Sequence, residues 1–111
     1  MGRVTREKEI LIYAHGNGTE PYSDWLENLK DVVGRAHIQA RITRLKYGNY
    51  GDCEPVGEGV RELRIHFGPG YRVYFAEKRS TVVILLCGGD KGNQKRCIKD
   101  AKLYWKEYQK K

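Results

Sequence analysis

The chain has 111 residues, 40% of them hydrophobic and 32% charged, a length that predicts one domain with a modest core over residues 1–111. Its 21 Lys and Arg outnumber 14 Asp and Glu, and the resulting charge of +7 favours polyanionic partners such as nucleic acid, the ribosome or an acidic protein segment, unless the basic surface is inert. No apolar run approaches the ~20 residues that span a membrane, and Cys53, Cys87 and Cys97, odd in number and without a CxxC, argue against a disulfide scaffold.

The start, MGRVTREKEILIY, lacks the long apolar stretch and small-residue cleavage site of a signal peptide, so a cytoplasmic protein is expected. Glu9–Tyr13 (EILIY) is a short apolar run bounded by charge and then by HGNG, which predicts a first strand. Thr19-Glu20-Pro21 predicts a helix with Pro21 at its first position, and Trp25, Leu26 and Leu29 supply its apolar stripe. A second helix is expected from about Asp31 to Tyr47, stopped by Gly48-Asn49. Val32, Val33, Ala36, Ala40 and Tyr47 share one side of it; Ile38, Ile42 and Leu45 share the opposite side, with Arg35, Arg41, Arg44 and Lys46 between. A helix apolar on two sides is expected to be sandwiched between layers.

Residues 48–59 (GNYGDCEPVGEG) are expected to be a loop. In the next strand Leu63, Ile65 and Phe67 alternate with Glu62, Arg64 and His66, the period-2 pattern of a half-buried strand. Gly68-Pro69-Gly70 turns the chain, after which Tyr71, Val73 and Phe75 are expected to face the core and Arg72, Tyr74 and Ala76 to face away. Val82–Cys87 (VVILLC) does not alternate and predicts an inner strand covered on both faces. Beyond Gly88-Gly89-Asp90 a last helix should run to the C-terminus, with Ile98, Ala101, Trp105 and Tyr108 on its apolar face. Lys91, Lys95, Lys99, Lys102 and Lys106 form a stripe beside it without interleaved carboxylates, an arrangement that a polyanion would relieve.

The two amphipathic strands carry the sharpest chemical signal. Arg64, His66, Arg72 and Tyr74 are placed on one face of a small sheet. RNA cleavage by transfer to the 2′-hydroxyl needs a base, a cation for the phosphorane and an acid. Arginine suits the middle task because its fork matches phosphate and keeps its charge, and His66 suits proton transfer. The competing reading pairs Arg64 and Arg72 with Glu62 or Glu77 across the sheet. Gly88-Gly89-Asp90-Lys91 joins strand to helix without the spacing of a nucleotide P-loop; the glycines read as a turn of the chain and Asp90 as a helix cap, which leaves Lys91 free to touch substrate. No Ser-His-Asp set is evident, Cys87 reads as buried and inert, and His15, His37 and His66 show no metal-ligand spacing. Neither a metal nor a cofactor is expected.

The segments GNYGDCEPVGEGVRELRIHFGPGYRVYF and VVILLCGGDKGNQKRCIKDA resemble the RelE/ParE superfamily of bacterial toxins, and within it the phage-related addiction module killer or HigB-like group. The resemblance spans about residues 8–108. It implies an α+β, RelE-like fold with order β-α-α-β-β-β-α, and a toxin of a bacterium or prophage neutralised by a cognate antitoxin of the helix-turn-helix, HigA-like kind. RelE-like and HigB-like members are metal-independent endoribonucleases that cut mRNA, typically in the ribosomal A site; ParE-like members instead poison DNA gyrase. The Gly70-Tyr71-Arg72 step matches the Gly-Tyr-Arg of RelE-like toxins and implies a catalytic Arg72. Arg64 and Lys91 fall where such toxins carry further basic residues. Two departures stand out: Arg96-Cys97 occupies the neighbourhood of a catalytic tyrosine in the last helix, and Glu62 replaces a lysine. The acid and base must then come from among Tyr71, Tyr74, His66 and Asp90. The expectation is a ribosome-dependent mRNA endonuclease with Arg72 and Arg64 at the phosphorane and Lys91, Lys95, Arg96, Lys99 and Lys102 on RNA. The alternatives are a gyrase-binding module of the same fold and a toxin-like regulatory protein without activity.

Overall fold

A computed structural model describes residues 7–111. The elements run β1 (Glu9–Ile12), α1 (Pro21–Asn28), α2 (Val32–Lys46), β2 (Cys53–Gly57), β3 (Val60–Ile65), β4 (Tyr71–Lys78), β5 (Val82–Asp90), a 3-10 turn at Lys91–Asn93 and α3 (Gln94–Gln109). The fold is α+β: a five-stranded mixed sheet in the order β1-β5-β4-β3-β2, with β1 parallel to β5 and the other pairs antiparallel. Five strands replace the four expected from sequence. The added one, β2, lies in the stretch read as a loop: Pro55 and four glycines mask its pattern, and it is an edge strand, where proline is tolerated. The turn to β3 runs through Gly57, Glu58 and Gly59, all at positive φ, where glycine carries no Cβ penalty.

Helices cover both faces of the sheet. On one, Tyr22 of α1 and Ile38 and Leu45 of α2 pack on Leu63, Ile65, Tyr71, Val73, Phe75, Val83 and Leu85. On the other, Cys97, Ala101 and Trp105 of α3 pack on Val60, Tyr74, Ala76, Ile84 and Leu86. This two-sided cover corrects the expected orientation of β4: Tyr74 and Ala76 do point away from Tyr71, Val73 and Phe75, but into a second core, and both are 0% exposed. β5 is apolar without alternation because it too is buried on both faces.

Two further expectations change. Only one side of α2 is buried; Val32 and Val33 on the other are 65% and 57% exposed, and Tyr47 is 51% exposed. Gly88 and Gly89 do not turn the chain. They continue β5, where a Cβ on Gly88 would run into the Trp25 ring and one on Gly89 would meet Cys97 Sγ at 2.5 Å. The paired glycines let α1 and α3 approach opposite faces of the same strand. The helix ends follow the sequence signals: Pro21 opens α1, Asp31 caps α2 by accepting from the Gly34 amide at 2.8 Å, and Gly48 ends it at φ 86°.

Candidate functional site

The β3–β4 register sets Arg64 directly opposite Arg72. Like charges in that relation repel, and the sequence supplies the remedy one pair along, where Glu62 stands opposite Tyr74. The Glu62 carboxylate is 0% exposed. It accepts from Arg64 Nε at 2.9 Å, from the Tyr74 hydroxyl at 2.8 Å and from Gln94 Nε2 of α3 at 2.8 Å. Arg72 Nε lies 3.8 Å from it, an ion pair without a hydrogen bond. Burial alone would raise the Glu62 carboxyl, but the bonds from Arg64, Tyr74 and Gln94 and the charge of Arg72 outweigh it and hold it below its ordinary value. The competing sequence reading was therefore half right: Glu62 takes both arginines, while Glu77 is engaged by Lys8 and Tyr50.

Among the described residues, Arg72 Nε is buried without a hydrogen-bond partner. The side chain retains 13% exposure. It lines a cleft of about 430 Å³ with Arg64, His66, Gly70, Tyr71 and Lys91. α3 begins at Gln94, so it covers Tyr74 but stops short of Arg72, and the cationic end of the sheet face stays open to this cleft. A larger hollow of about 600 Å³ between Lys78, Trp105 and Tyr108 has no comparable cross-strand charge pair.

The structure brings together five of the residues singled out in the sequence: Arg64, His66, Tyr71, Arg72 and Lys91. Tyr74 is a correction. It lies under α3 with its hydroxyl on Glu62, and burial followed by that bond drives its ionisation far above the ordinary tyrosine value. Tyr71 is held as well, donating to Asp31 Oδ2 at 2.7 Å, which raises its pKa. Asp90 caps the 3-10 turn, accepting from the Gly92 amide at 2.8 Å, and is not among the cleft-lining residues. Lys91, Lys95 and Arg96 border an adjoining hollow, and Lys99 is exposed on α3. The lower stripe is not free of carboxylates: Glu58, on the β2–β3 turn, lies 3.6 Å from Lys102 Nζ and 3.3 Å from Lys106 Nζ. Cys87 is buried and its thiol pKa is pushed up by burial, which fits an inert packing role.

Two residues in the site escaped the sequence reading. Asp52, just before β2, bonds His66 Nε2 through Oδ2 and lies 3.8 Å from Arg64 Nη1. Arg41 of α2 reaches under the sheet edge to the carbonyls of Arg64, Tyr50 and Asp52 and so holds the segment that presents Asp52. The Gly57-Glu58-Gly59 turn was the available signal. Taken as a hairpin, it places Cys53 opposite Leu63 and Asp52 beside Arg64.

Together these features define a small basic α+β domain whose cationic cleft sits where the sheet emerges from beneath its C-terminal helix. Residues 24–108 match the family described as phage-derived protein Gp49-like (DUF891), and the chain belongs to that family, which lies within the RelE/ParE-like toxin superfamily. Its members are commonly toxins of toxin–antitoxin systems. The chain is also similar to an uncharacterized protein of Haemophilus influenzae, 49% identical over 89 residues that cover 80% of this chain and 90% of the relative.

Proposed function

We propose that the chain is the toxin of a type II toxin–antitoxin system, a HigB-like protein of RelE-like topology, and that it cuts mRNA on the ribosome. The observation that carries this reading is the cross-strand Arg64–Arg72 pair, with Arg72 Nε unbonded at a cleft shared with Lys91. A phosphodiester seated there would meet one arginine free to reorganise and a second already held by Glu62. As O2′ attacks phosphorus, charge grows on the equatorial oxygens, and donors fixed in advance stabilise that state most. Lys91, Lys95, Arg96 and Lys99 would steer RNA to the cleft. The bacterial cytoplasm, the ribosome and a helix-turn-helix antitoxin are the setting and partners this reading requires.

A second reading draws on a different observation. Tyr71 and Tyr74 are both committed to carboxylates inside the fold, which favours a gyrase-binding or regulatory module without chemistry. Primer extension on mRNA after induced expression separates the two. The nuclease predicts discrete cuts that Arg72→Ala reduces by two orders of magnitude or more, since a lost transition-state donor costs about 10²–10³ in rate. Intact mRNA with DNA damage would point to gyrase, and intact mRNA without a growth effect to a regulatory protein.

A further inference from the structure

Under the nuclease reading the cleft has its cations but no assigned base. Each tyrosine near it is bonded to a carboxylate, and Asp90 is spent on a cap. His66 is the remaining group suited to proton transfer at neutral pH. It follows β3 at the mouth of the cleft with its side chain 75% exposed, and its Nε2 is bonded to Asp52 Oδ2. That bond occupies one ring nitrogen and leaves Nδ1 for substrate. Asp52 is itself well placed: Arg41 grips its carbonyl, and the Arg64 amide donates to the same carbonyl at 3.0 Å. The hydrogen bond from His66, with the charges of Arg64 and Arg41 assisting, keeps the Asp52 carboxyl below its ordinary value, so it is ionised at neutral pH.

We propose that His66 is the general base of the cleavage step and that Asp52 is its positioning residue, an assignment that rests on the nuclease reading. With Nε2–H donated to Asp52, the Nδ1 lone pair takes the proton of the 2′-hydroxyl as the O2′–P bond forms. The P–O5′ bond breaks, its electron pair leaves on O5′, and solvent water protonates that oxygen. The products are a 2′,3′-cyclic phosphate and a 5′-hydroxyl. The imidazolium formed at His66 stays paired with the Asp52 carboxylate, which orients the ring and offsets its new charge. The charged and titratable groups that share the cleft with His66 are Arg64 on β3, Tyr71 and Arg72 on β4 and Lys91 in the 3-10 turn; Arg41 on α2 donates to the Asp52 carbonyl, and Glu62 on β3 accepts from Arg64. His37 is stacked on the neighbouring Phe67 with ring centroids 4.2 Å apart.

The test is steady-state cleavage of a defined mRNA on programmed ribosomes across a pH series, with the full chain and the variants His66→Ala, Asp52→Asn and Arg72→Ala. His66→Ala should lower kcat by about 10²–10⁴ with KM nearly unchanged, abolish the fall of rate on the acid side, and recover part of its activity in added imidazole. Asp52→Asn should lower kcat through the lost carboxylate while leaving KM near wild type. Arg72→Ala should lose rate yet keep the acid-side fall. His66 is exposed, so its replacement leaves the core intact, and circular dichroism checks the fold. Should wild type cut while His66→Ala cuts within about threefold of it, or keep the acid-side fall, the base assignment is overturned and the nuclease reading stands. No cyclic-phosphate ends from wild type would overturn both.

Discussion

At the scale of single residues the decisive group is Glu62. It is the buried carboxylate between two arginines that the strand register forces to face each other. Removing one member of a buried charged set leaves the rest uncompensated, at a cost of about 3–5 kcal/mol when the group is fully enclosed. Arg64 is partly exposed and relieves some of that cost, so Glu62→Ala is expected to lose about 3 kcal/mol. Glu62→Gln keeps an acceptor for Tyr74 and should lose about 1–2 kcal/mol. Urea unfolding measures both. The pH dependence has a definite sign. The folded-state pKa of Glu62 lies below its unfolded value, so its contribution is fully present above the ordinary glutamate range and fades as pH falls through the depressed value. The gap between wild type and Glu62→Gln should therefore close on acidification; a gap that widened instead would contradict the assignment of Glu62 as an ionised partner. The sequence showed Glu62, Arg64 and Arg72 on one face, but not that Glu62 is buried, because burial there depends on Gln94 arriving from α3.

At the scale of elements, β5 is the strand on which the site depends. It carries Gly88 and Gly89 between α1 and α3 and then delivers Lys91 to the cleft. A methyl group on Gly88 meets the Trp25 ring, which must move or be strained. Gly88→Ala is expected to cost about 1–3 kcal/mol, the usual penalty for overfilling a packed contact, visible as a lower urea midpoint at unchanged slope. Trp25→Leu in the same background should recover part of the loss; no recovery would place the strain elsewhere. The glycine pair was visible in the sequence and read as a turn, since glycine marks both turns and close approaches. Only the positions of Trp25 and Cys97 distinguish the two. The second face of α2 teaches a related lesson. Apolar residues at helical spacing predict burial, yet Val32 and Val33 remain exposed because the sheet can cover only one side of that helix.

At the scale of the whole molecule the net charge of +7 is unevenly usable. Lys102 and Lys106 share Glu58, whereas Lys91, Lys95 and Arg96 line a hollow next to the arginine cleft. Binding to single-stranded RNA should weaken with salt at a log–log slope of roughly 0.7 per phosphate contact. Lys91→Ala and Lys95→Ala are each expected to reduce that slope by about 0.7. Lys102→Ala should change it less, because its charge is already met. Equal effects from Lys95 and Lys102, measured by fluorescence anisotropy over a salt series, would show that Glu58 does not shield the lower stripe.

By itself the sequence determined the helices, the glycine-proline turn, the apolar inner strand and the strand positions of the two arginines. These follow from local periodicity, caps and turn residues, which act over a few neighbours. The tertiary structure alone decided that β2 pairs at the sheet edge, that Tyr74 lies under α3, that Glu62 is enclosed and that Asp52 meets His66. Those outcomes arise from strand register and helix docking between segments up to 32 residues apart, as Gln94 is from Glu62, and no local pattern encodes that distance.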